Sequence, residues 1–94
     1  LAGSAESMER TFGSTCHGAG RAMSRTAAKM HATGRKIEKE LEAKGVIAMA
    51  SSRMGLAEEQ PAAYKNVDHV VDVVHEANLS RKVVRMRPVG VIKG

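Results

Sequence analysis

The chain has 94 residues and a formal net charge of +5, with 43% hydrophobic but only 2% aromatic residues, and an isoelectric point near 9.8. That length suits one small domain, and Leu, Ile, Val and Phe make only about a fifth of it, so a thin, alanine-filled core that packs against further protein is expected. No apolar run approaches the ~18 residues of a membrane span and no stretch resembles a signal peptide, while a single cysteine fits a reducing cytoplasm; the excess positive charge calls for an anionic partner, held by phosphate contacts rather than base stacking.

Leu1 to Ser4 carries little structural signal. Ser4 or Ser7 can cap a short helix running to Thr11, with Met8 and Phe12 four apart on a buried face and Gly13 as its stop. The loop 12–21 follows, and it sets His17 between small residues and ahead of Gly18-Ala19-Gly20. Glycines let successive N–H groups turn toward an anion, a helix opening just after them adds the positive end of its dipole, and a neutral imidazole is a competent nucleophile at phosphorus near neutral pH. The competing reading is a tight turn with an ordinary loop histidine. A P-loop is excluded because Ala19-Gly20 stand where Lys-Ser/Thr is required, and a dinucleotide fingerprint because Met23 replaces its third glycine.

Residues 21–31 predict a basic helix in which Arg21, Arg25 and Lys29 recur every four residues, while Ala19, Met23, Ala27 and Met30 form an inward stripe. A second helix is expected over 35–44, buried through Ile37 and Leu41 and capped by Gly45, and a short buried strand over 46–50. Residues 51–66 read as one long irregular loop, in which Tyr64 is either a base platform or a partly buried anchor. Asn66 caps a helix over 67–78 with Val67, Val70, Val71, Val74 and Ala77 at helical spacing. His69 and His75, six apart, do not form a helical metal pair. The region 81–93 predicts a final strand with Val84 and Met86 on its buried face. The fold class is therefore α+β (mixed α/β), with three to four helices and two short strands. Cys16 reads as a small packing residue, since adjacent residues seldom chelate one ion.

Gly13-Ser14-Thr15-Cys16-His17-Gly18-Ala19-Gly20-Arg21, Met23-Ser24-Arg25 and the terminal Gly90-Val91-Ile92-Lys93-Gly94 closely resemble the C-terminal part of the RtcB family of RNA-splicing ligases, over essentially the whole chain. The resemblance implies a C-terminal segment, residues 1–94, of a longer RtcB-like ligase domain. It further implies ligation of RNA 2′,3′-cyclic phosphate or 3′-phosphate ends to 5′-hydroxyl ends with GTP and manganese, through a covalent histidine-GMP at His17. Gly18, Ala19 and Gly20 would lie against the nucleotide phosphate and sugar, Tyr64 near the guanine, and Lys93 on the guanine nucleotide. Arg21 and Arg25 would neutralise nucleotide or RNA phosphates. The family's manganese ligands lie in upstream segments, so no metal ligand is assigned here. RNA such as tRNA halves, an archease-like activator and the remainder of the ligase polypeptide are the implied partners. A second reading is a non-catalytic basic module that binds RNA phosphates or packs against a partner chain.

Overall fold

A computed structural model describes residues 1–92, so Lys93 and its expected nucleotide contact lie outside the described residues. Two compact units emerge, one made of residues 1–17 with 68 onward, the other of residues 18–67.

In the first unit, helix α1 (Ala5–Thr11) and most of helix α5 (Val67–Glu76) accompany a minimal antiparallel ladder, β1 (Ala2–Gly3) against β2 (Ser80–Arg81), with Ala2 opposite Arg81 and Gly3 opposite Ser80. Ser4 stands at the N-cap of α1, yet its hydroxyl donates to the Asn78 carbonyl instead of capping the helix. Arg10 Nη1 donates to the Ala77 carbonyl at 2.6 Å, so two side chains from the start of the chain satisfy carbonyls beyond the end of α5. Asn78 turns the chain at φ 57, and Leu79 N reaches back to the Val74 carbonyl at 3.0 Å. Asparagine is one of the few side chains that tolerate this left-handed stop. α1 ends likewise, through Phe12 at φ 54 and Gly13 at φ 74, where a Cβ would lie 2.8 Å from Met8 Sδ. Conformation is what favours glycine at residue 13, since the exposed Met8 thioether is the end of a flexible side chain that can move aside. The expected burial of Met8 and Phe12 is overturned: they are 67% and 92% exposed, and the buried residue of α1 is Ser7.

The second unit packs α2 (Arg25–His31), α3 (Ile37–Glu42) and α4 (Arg53–Glu58), followed by a 3-10 turn over Pro61–Ala63. Ala32, Ile37 and Ala57 form its cluster, with Leu41 and Leu56 against them. Alanines let α2 and α4 approach closely, but they supply little apolar area. The largest fully buried side chain of this unit is polar, Gln60. Gln60 Nε2 donates to the carbonyls of Ala28 at 2.7 Å and Ala57 at 3.0 Å, while its Oε1 accepts from Arg35 Nη1 at 2.9 Å. One amide therefore joins α2 to α4.

Several expectations fail for identifiable reasons. The described residues form five α-helices rather than three to four. The extra one, α4, lies inside the stretch expected to be irregular. Ser52 starts it, its hydroxyl accepting from Gly55 N at 3.0 Å, and Leu56 and Ala57 give it a buried side. The basic helix begins at Arg25, not at residue 21, because Ser24 Oγ accepts from Ala27 N at 3.1 Å and makes residue 24 a cap. The inward stripe shifts accordingly: Ala28 is fully buried, whereas Met30 is 68% exposed. Residues 46–50 and 82–92 form no strand among the described residues, and Ile47, Met49, Val84 and Met86 are exposed. Strand propensity needs a partner's N–H and C=O groups, and neither segment has one. Among the described residues, no helix is long and apolar enough to cross a membrane.

Gln60→Leu keeps the volume of this tie but removes its donors, so the complete polypeptide should lose about 1–3 kcal/mol in urea unfolding. An unchanged midpoint would show that the amide is not the tie.

A second expectation concerns acid. Lys82 donates to the Asp72 carboxylate, and this hydrogen bond, with the positive charge beside it, holds Asp72 below the usual carboxylate range. A depressed folded pKa means stabilisation that is present above the ordinary aspartate value of about 3.9 and lost as pH falls through the lower folded value. Carboxyl NMR should place the Asp72 midpoint below that value and return it there in Lys82→Ala. A midpoint already at the ordinary value in the unaltered protein would contradict the pairing.

Candidate nucleotide and phosphate site

The segment leading to His17 is pinned from within the first unit. Ser14 N donates to the Thr11 carbonyl at 2.9 Å, and Ser80 Oγ donates to Thr15 Oγ1 at 2.8 Å. Cys16 is half-buried with a free thiol, and His17 is exposed. An exposed histidine that follows a pinned segment is open to an incoming group.

Gly18, Ala19 and Gly20 open the second unit. Gly20 sits at φ 70, a conformation that side chains rarely adopt, and its carbonyl accepts from Lys65 N at 3.0 Å. A Cβ at Gly18 or Gly20 would meet nothing within 4 Å, so the space beside this backbone is empty of protein.

Arg21 and Tyr64 are brought together. They form an isolated antiparallel bridge, and Ala22 N donates to the Ala63 carbonyl at 2.8 Å. This pairing keeps residue 21 out of the helix. The guanidinium is then almost fully used: Nε donates to the Met23 carbonyl at 3.1 Å, Nη2 to the Glu58 carbonyl at 2.6 Å, and Nη1 lies 3.5 Å from Glu59 Oε1 and 3.4 Å from Tyr64 Oη. Its carbon stands 5.1 Å from the Tyr64 ring centroid, over one face of the ring, while the Tyr64 hydroxyl donates to Glu59. Tyr64 remains 36% exposed.

Arg25 and Lys29, one turn apart on α2, both reach Glu58, at 3.5 and 2.6 Å. Lys29 is the tighter partner, and the Arg25 side chain stays 68% exposed. Arg21, Ala22, Met23, Ser24, Arg25 and Thr26 line an open, shallow depression. Glu58, Glu59 and Gln60 are the neighbours of the candidate site that sequence reasoning missed. Their signal was two carboxylates and an amide directly before Pro61, a run too polar to suggest an ordered clamp.

A family profile described as "tRNA-splicing ligase RtcB" matches residues 1–94. The chain belongs to the RtcB family. Proteins named "tRNA-splicing ligase RtcB" from Methanopyrus kandleri and Archaeoglobus fulgidus are each 54% identical to it over 94 residues, all of this chain but 10% and 20% of those proteins. The one from Methanococcus maripaludis is 48% identical over 92 residues, 98% of this chain and 19% of that protein. The chain thus spans between a tenth and a fifth of the length of these curated RtcB relatives.

Manganese, which the RtcB resemblance implies, does not fit the residues present. Among the described residues, no group of three or more His, Cys, Asp and Glu side chains is placed to hold a metal ion. The backbone beside Gly18 and Gly20 is unobstructed, and Arg25 leaves most of its guanidinium in solvent.

Because Arg21 works as a planar fork, Arg21→Lys should fail to replace it despite keeping the charge. Amide exchange at Ala22 and Lys65 in the complete polypeptide should quicken by about tenfold or more. Exchange at the original rate would reduce Arg21 to an ordinary surface cation.

Proposed function

We propose that this chain carries the nucleotide-accepting histidine of a GTP-dependent RNA ligase that joins RNA 2′,3′-cyclic phosphate or 3′-phosphate ends to 5′-hydroxyl ends, as in tRNA splicing and RNA repair. The observation that supports the reading is the family match over residues 1–94, with His17-Gly18-Ala19-Gly20-Arg21 inside it.

In this reading a ring nitrogen of His17 attacks the α-phosphorus of GTP. A nitrogen–phosphorus bond forms, the bond to the bridging oxygen breaks, and pyrophosphate leaves. The ring then gives up GMP to an RNA 3′-phosphate oxygen and is regenerated, after which the 5′-hydroxyl displaces GMP. The exposure of His17 suits a residue that must meet first a nucleotide and then an RNA end. The open backbone at Gly18 and Gly20 admits phosphate oxygens that a Cβ would crowd. Arg25 is the cation assigned to phosphate, since its side chain is the more exposed one. Arg21 is assigned a positioning role, holding Tyr64 and the Gly20 carbonyl strand in place. Tyr64 remains the candidate for the guanine, through the part of its ring that Arg21 leaves uncovered, and Lys93 the candidate nucleotide contact at the end of the chain. Manganese ligands are assigned to the remainder of the ligase polypeptide, which with RNA and an archease-like activator completes the expected partners.

The complete polypeptide, incubated with α-phosphate-labelled GTP and manganese, should acquire an acid-labile label, and His17→Ala should reduce it to background without unfolding the protein. Label that persists in His17→Ala would remove His17 as nucleophile. No label in the unaltered protein would favour a non-catalytic phosphate-binding module.

A further inference from the structure

The second unit carries a groove that the nucleotide reading does not use. It is a depression of about 360 Å3 whose floor is the apolar cluster of Ala32, Ile37 and Ala57 and whose walls come from α2, α3, α4 and the turn before α3. Its lining contains the cations Lys29, Arg35, Lys36, Lys39 and Arg53 but a single carboxylate, Glu38. Two of these cations are already neutralised. Lys29 is paired with Glu58, and Arg35 with Glu40, where the hydrogen bond to Arg35 holds the Glu40 carboxyl below its usual range.

The side chains of Lys36, Lys39 and Arg53 make no ion pair or hydrogen bond among the described residues, and all three residues are exposed. Lys36 and Lys39 are three residues apart at the start of α3, on neighbouring positions of one helical face. Arg53 opens α4. Three free positive charges from two helices thus border one trough, an arrangement complementary to successive charges on a linear polyanion. No aromatic side chain lines the groove, so it offers no stacking platform, and its aliphatic floor offers no donor or acceptor to a base edge. Such a surface contacts a strand through its phosphates alone, without regard to sequence.

We infer that this groove docks the phosphate backbone of the RNA, with Lys36, Lys39 and Arg53 as its contacts, separately from the nucleotide-accepting loop at His17. The choice of RNA as the polyanion rests on the ligase reading, whereas the position and charge of the groove do not.

The test uses the complete ligase polypeptide and the triple variant Lys36→Gln, Lys39→Gln, Arg53→Gln, with single-stranded RNA of mixed sequence titrated across a range of salt concentrations. Each lost phosphate contact on a single strand should lower the slope of log affinity against log salt by about 0.7, so the triple variant should lose about 2 from it and bind about tenfold more weakly or worse, equally for different sequences. Labelling of His17 by GTP should be unaffected. Lysine acetylation provides a second measurement that needs no variant: Lys36 and Lys39 should react readily in the RNA-free protein and be protected when RNA is added. An unchanged salt slope would overturn the proposal. So would Lys36 and Lys39 that resist acetylation before RNA is present, since the groove would then be covered by protein such as an acidic segment. If the unaltered protein is not labelled by GTP while the slope still falls in the variant, the ligase reading fails and the groove stands.

Discussion

The amide of Gln60 is the interaction on which the second unit depends. It is 1% exposed, and it addresses two helices with its donors and a charged side chain with its acceptor. A buried amide without partners would cost more than it contributes, but here both ends are satisfied, so its desolvation is offset and its geometry becomes restrictive. That matters because the apolar core is made mainly of alanine. Alanine lets α2 and α4 come close without fixing their register, since it has no rotamer to interlock. The hydrogen bonds of Gln60 supply the register that packing leaves open. His31 Nδ1, 3.2 Å from Gln60 Oε1 and 2.7 Å from Arg35 Nη1, extends the same network to the surface.

The clamp around Arg21 follows from that tie. Gln60 fixes where α4 ends, and with it the Glu58 carbonyl and the Glu59 carboxylate that receive the Arg21 guanidinium. Pro61 then begins a 3-10 turn that returns the chain to Ala63 and Tyr64, whose backbone pairs with Arg21 and Ala22. Three successive residues, Glu58, Glu59 and Gln60, thereby connect the packing of α4 to the position of the chain just after the glycines.

The parts legible in the sequence were those encoded locally. The glycine-flanked histidine, the valine repeat behind α5 and the Ile37–Leu41 spacing behind α3 each need only near neighbours to be recognised. What escaped was set by distant partners. Met23-Ser24-Arg25 looks helical until Tyr64 competes for the backbone of Arg21, and Arg53 to Glu58 looks irregular until Ala32 and Ile37 give Ala57 a surface to cover. The segments 46–50 and 82–92 have the composition of strands, and composition cannot supply a ladder partner. The hydrogen bonds that Arg21 makes to Met23, Glu58, Glu59 and Tyr64 were equally opaque, because they depend on where α4 ends.

Formal charge is therefore a poor guide to where this chain meets an anion. Arg21, Lys29, Arg35 and Lys82 are engaged by Glu59, Glu58, Glu40 and Asp72, and a phosphate approaching any of them would have to displace a carboxylate already in place. Such displacement gains little, because one anion is exchanged for another while the released carboxylate stays nearby. The attraction available to a ligand comes from cations that folding has left uncompensated. Arg25 is only partly engaged, and Lys36, Lys39 and Arg53 are free among the described residues. Such cations stand beside the depression that starts at Arg21 and along the groove bordered by α3 and α4. Cations left free in this way attract an anion by charge alone, without reading a base.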